Sequence, residues 1–67
     1  MTFYVNNQPH ESVDSKTLAQ TLSDLQLTTQ RGIAVAVNNT VIPKAEWITC
    51  SVQHDDHITI IRATQGG

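Results

Sequence analysis

At 67 residues, 39% hydrophobic and 15% charged, the chain has room for one small domain and is too apolar to be a disordered tail. Its net charge is −2, and Lys16, Arg31, Lys44 and Arg62 are scattered, which leaves no basic stripe for a nucleic acid. The longest apolar run, Ile33–Val37, is far too short for a membrane span, and no basic, apolar leader opens the chain, so a cytoplasmic protein is expected.

Met1, Phe3 and Val5 alternate with Thr2, Tyr4 and Asn6, which predicts a half-buried strand. Asn7-Gln8-Pro9 carries turn chemistry, and the following "HESV", residues 10–13, is expected to return as a short second strand. The period then changes. Leu18, Leu22 and Leu25 fall at i, i+4 and i+7 with Ala19 beside them, the apolar stripe of a helix. Asp14 or Ser15 is expected to cap its start, and its end is expected between Gln26 and Thr29.

Gly32 precedes an unbroken apolar strand, Ile33–Val37, whose lack of alternation predicts a place inside the sheet. Asn38-Asn39 suits a tight turn because Asn tolerates positive φ, and a short return strand then runs to Pro43. Pro43 opens a helical turn that ends near Trp47. His54-Asp55-Asp56-His57 reads as a turn before the final strand, with Ile58 and Ile60 on one face and Thr59 and Ile61 on the other. One leucine-striped helix must cover one face of a mixed sheet, with the first and last strands as its central pair. The fold class is α+β.

The last two residues, Gly66 and Gly67, add no side chain to a core. A main-chain carboxylate is ionised at neutral pH and is an oxygen nucleophile, and glycine lets a backbone thread a narrow channel. Adenylation of that carboxylate by ATP would activate its carbonyl, and a sulfur nucleophile could then displace AMP and leave a thiocarboxylate. Against this stands the ordinary reading, a ragged end of small residues.

The surrounding residues tip the balance. "FYVNNQP", "TLAQTLSDL", "AVAVNNTVIPKAEW", "HDDHITII" and the closing "GG" together resemble the thiamine-biosynthesis sulfur carrier (ThiS) family, of the ubiquitin-like β-grasp fold, along essentially the whole chain. The most specific stretch holds Val37, Asn38, Pro43 and Trp47 in places that family favours. Asp55 stands where the family has a glycine, so this turn asks a non-glycine residue to take a positive φ, which Asp tolerates better than most.

The resemblance implies a β-grasp domain over residues 1–63 and a flexible tail over residues 64–67. It implies adenylation of Gly67 by a ThiF-type enzyme, with Thr64, Gln65 and Gly66 threaded into the partner's active site. Conversion to a thiocarboxylate would follow, with sulfur from a cysteine desulfurase system, and delivery to the thiazole synthase ThiG would build the thiazole of thiamine. On this reading the chain is a carrier rather than an enzyme and holds no cofactor, since ATP is the partner's substrate. Three alternatives share parts of the pattern: a molybdopterin-synthase small subunit (MoaD type), a ubiquitin-like modifier, and an interaction module with an inert tail.

The remaining chemistry-bearing residues have plainer readings. His54 and His57, with Asp55 and Asp56 between them, make a solvated polar turn rather than a metal site, since no further Cys or His stands at ligand spacing. His10 is expected on the hairpin surface. Cys50 has no disulfide partner and is expected to be a half-buried loop cysteine, and Trp47 is expected to cover the edge of the core.

Overall fold

The computed structural model describes residues 1–26 and 32–62. Strand β1, Thr2–Val5, turns back into β2, Gln8–Glu11, with Val5 opposite Gln8 and Thr2 opposite Glu11. Asn6 and Asn7 alone make the loop, with φ of 50° and 69°. Positive φ at both central residues is the type I′ geometry, whose twist matches that of the flanking strands.

The expected hairpin is thereby corrected: the turn is Asn6-Asn7 rather than Asn7-Gln8-Pro9, and the return strand starts at Gln8 rather than His10. Pro9 pairs with Tyr4 inside β2. It is tolerated because β2 is the outermost strand, where a missing N–H removes no ladder bond.

Helix α1, Leu18–Asp24, is capped by Thr17, not by Asp14 or Ser15. The Thr17 hydroxyl accepts from Gln20 N at 3.1 Å, and Gln20 Oε1 accepts from Thr17 N at 3.0 Å, a reciprocal capping box. Two further amides of the first turn are satisfied from outside the helix. Leu18 N donates to Cys50 O at 2.6 Å and Ala19 N to Trp47 O at 2.9 Å. The helix ends at Asp24, short of the expected 26–29 boundary, with Gln26 at φ 61°.

Strand β3, Ile33–Val37, and β4, Thr40–Val41, repeat the first hairpin's device, with Asn38 and Asn39 at φ 51° and 71°. Pro43 then leads a 3₁₀ turn, Lys44–Glu46, as expected. Strand β5, His57–Arg62, completes a sheet in the order β2-β1-β5-β3-β4. β5 runs parallel to β1 and antiparallel to β3, so the first and last strands do pair, and β5 itself is the middle strand.

One face of the sheet is packed. Phe3, Val5, Val35 and Ile58 meet Leu18 and Leu22 of α1, and Trp47 and Val52 close the cluster from the connecting segment. Leu18, Leu22 and Val52 are fully enclosed. Trp47 is buried, and its Nε1 donates to Ile42 O at 2.9 Å, which fits the expected covering of the core edge. Among the described residues no helix is long and apolar enough to cross a membrane.

Candidate functional site

Thr64, Gln65, Gly66 and Gly67 lie outside the described residues, and so does the 63/64 boundary between domain and tail. What the structure supplies is the root from which they continue, β5. Its register with β3 covers five pairs, from Val37 opposite Ile58 to Ile33 opposite Arg62. On its other side the backbone pairs with β1 at Tyr4 and Val5. β1 stops there, but Asn6 extends the contact: its N donates to Ile58 O, and its Oδ1 accepts from Ile60 N, each at 2.9 Å. The chain is therefore gripped from both sides nearly to Arg62.

The turn into β5 is fixed by the second Asn pair. Asn38 Oδ1 accepts from His57 N and Asn38 Nδ2 donates to Asp56 Oδ1, both at 2.9 Å. Asp56 Oδ2 accepts from Gln53 N at 2.8 Å, which closes the turn on itself. Asp55 has φ 68°, the left-handed conformation expected of an aspartate standing in glycine's place. Its N donates to Thr2 O at 2.6 Å, and Thr2 N donates to His54 Nδ1 at 3.0 Å, so β1 begins clamped to this turn.

Asn6 and Asn38 were not singled out in the sequence for their side chains. Each is the first residue of an Asn-Asn pair, and that is the signal that could have found them. In both hairpins the turn places this first amide against β5.

The histidines are used structurally. His57 stacks on Tyr4 across the β1–β5 pair with ring centroids 4.5 Å apart, and His10 stacks on Phe3 at 5.7 Å. His10 is thus half-buried against a core ring rather than a plain surface residue. Among the described residues no group of three His, Cys, Asp or Glu side chains is arranged to hold a metal ion. Cys50 is half-buried and rests against the core, where its carbonyl caps α1.

Among the described residues, a five-stranded mixed sheet grasping one α-helix, with the last strand at its centre, defines a ubiquitin-like β-grasp protein. The crystal structure of the thiamine biosynthesis protein (ThiS) from Geobacter metallireducens shares this fold at a TM-score of 0.86, covering 100% of both chains with 22% identity. An NMR solution structure of a thiamine biosynthesis protein from the same organism gives 0.78, again at 22% identity, over 100% of this chain and 88% of that one. No curated protein sequence matches the chain. The ThiS family model matches residues 3–67, so the chain belongs to the ThiS family.

Proposed function

We propose that this protein is a sulfur carrier whose reacting group is the carboxylate of Gly67. The observation that carries the reading is the family match, which extends through Gly66 and Gly67 and so includes the tail with the domain. The fold supports it: a tail that must enter another protein's active site is best mounted on a rigid strand, and β5 is the most fully paired strand of the sheet.

A ThiF-type enzyme directs the Gly67 carboxylate at the α-phosphorus of ATP. Pyrophosphate leaves and an acyl-adenylate forms. A persulfide formed from cysteine by a desulfurase attacks the activated carbonyl, AMP leaves, and a thiol reductant cleaves the resulting acyl disulfide, becoming a disulfide itself and releasing the thiocarboxylate. Thiazole synthase (ThiG) then receives the sulfur during thiazole formation for thiamine, and an oxygen from the acceptor substrate or from water takes its place and regenerates the carboxylate. The domain serves as a handle in the cytoplasm, and Thr64, Gln65 and Gly66 give Gly67 its reach.

The test is the intact mass of the purified protein after incubation with ATP, a ThiF-type enzyme and a sulfur source. The expected result is replacement of one oxygen by sulfur, localised to Gly67. An unchanged mass, with the enzyme active on another carrier, would overturn the proposal in favour of an interaction module with an inert tail.

A further inference from the structure

Two asparagine side chains hold β5, one at its start and one past its middle. Asn38 Oδ1 accepts from His57 N, the first residue of the strand, and Asn6 Oδ1 accepts from Ile60 N at 2.9 Å. Alternate residues of β5 present their main-chain groups to β1, where Tyr4 N donates to Asp56 O and Asn6 N to Ile58 O. In a parallel ladder that ran on by one step, Ile60 N would donate to the main-chain carbonyl of Asn6. At Asn6 the chain instead enters the left-handed turn, φ 50°, and the side-chain carbonyl supplies the acceptor that the main chain withdraws. Among the described residues this is the last bond to reach β5 from the β1 side, whereas β3 stays in register as far as Arg62.

Without the Asn6 amide, β5 beyond Ile58 is held along one edge only. A segment bonded along one edge opens locally at a lower free energy than one bonded along both. Ile60 stands seven positions before Gly67, a reach of at most about 25 Å. Over that reach a swing of about 10° at the root moves the end of an extended chain by roughly 4 Å. A misplacement of about 1 Å is enough to slow a reaction that depends on alignment.

We propose, on the reading that Gly67 reacts, that Asn6 is a positioning residue for its adenylation. It touches neither ATP nor the reacting carboxylate. Its amide carbonyl fixes Ile60, and with it the direction in which the chain continues toward Gly67, before the carrier meets the enzyme. The role belongs to the acceptor oxygen. An aspartate at this position keeps that acceptor and, like asparagine, tolerates positive φ. Glycine keeps the φ and the main-chain bond to Ile58 O but has no acceptor to offer.

The experiment compares the wild type with Asn6→Gly, Asn6→Asp and Asn7→Gly. Asn7 has φ 69° in the same turn, so its replacement adds the same glycine freedom without removing the bond to Ile60. Amide hydrogen exchange reads the protection of Ile60. Single-turnover adenylation by a ThiF-type enzyme with ATP reads the maximal rate and the carrier concentration at half saturation. Asn6→Gly is expected to lose Ile60 protection and maximal rate by roughly fivefold each, the factor carried by one net hydrogen bond, with half saturation unchanged. Asn6→Asp and Asn7→Gly should match the wild type in all three quantities. A merely structural role would lower the melting temperature and leave the maximal rate of the folded carrier as it was.

A wild-type rate for Asn6→Gly, an equal loss in Asn7→Gly, or no rescue in Asn6→Asp overturns the positioning role while the carrier function stands. Failure of wild-type Gly67 to be adenylated overturns the carrier function, and the positioning role falls with it.

Discussion

Asn38 does three things with one side chain. It takes a φ of 51°, accepts from His57 N, and donates to the Asp56 carboxylate. Alanine would lose both bonds and meet the left-handed penalty of a Cβ without local hydrogen bonding. Asn38→Ala is therefore expected to lower stability by about 2 kcal/mol, each bond being worth roughly 1 kcal/mol. A thermal melt should show it as a fall of about 10 °C. Asp55 presents the opposite case, since φ 68° suits glycine better and its contact with His54 Nε2 is exposed at 3.5 Å. Removing the Cβ relieves strain but adds freedom to the unfolded chain, so Asp55→Gly is expected to gain about 0.5 kcal/mol, or a few degrees in the melt. A lower melting temperature for Asp55→Gly would mean that the carboxylate contributes more than its exposure allows.

Among the elements, α1 shows how little of a helix's stability need be its own. It has seven residues, too few to persist in isolation, so its caps and its buried face decide whether it forms. Thr17→Ala is expected to cost about 1 kcal/mol by opening the capping box, and Leu22→Ala about 3 kcal/mol by leaving a cavity among Phe3, Val35 and Ile58. Urea titrations with an unchanged slope would confirm both as losses of native stability. The leucine stripe made this helix legible, and the Thr17-x-x-Gln20 spacing could have placed its start, but the earlier Asp14 and Ser15 drew attention away from it. In the first hairpin, period-two alternation assigned Asn6 to the strand, and the turn chemistry of Asn7-Gln8-Pro9 assigned Pro9 to the turn. The positive-φ preference of two adjacent Asn residues decided otherwise, and an edge position absorbed the proline. Trp47 and Val52 belong to the core from a segment without periodicity. Val52 carried no sequence signal for its full burial, because long-range packing placed it there.

For the whole molecule, the proposed function divides labour between the packed domain and the residues that follow Arg62. The β-grasp architecture was legible from the order of elements together with the family resemblance. The role proposed for the tail rests on motif and resemblance alone, because glycines make no packing pattern to read. Deleting Gly66 and Gly67 is expected to shift stability by less than about 0.5 kcal/mol, as for changes outside the core. On the proposed function, the same deletion should abolish sulfur incorporation and leave a strain dependent on added thiamine. Gly67→Val should melt like wild type and fail to be adenylated, since a branched side chain blocks a channel shaped for glycine; normal adenylation would contradict the narrow-channel argument. The central position of β5 also bears on how the protein is made. β1 is synthesised early, yet its parallel partner is the last of the described strands to emerge from the ribosome. A nascent chain that stops before residues 57–62 has no middle strand, leaves Phe3, Val5 and Val35 uncovered, and is open to proteases. The cell is thereby spared a folded decoy: a product cut short before the root of the tail does not assemble the sheet.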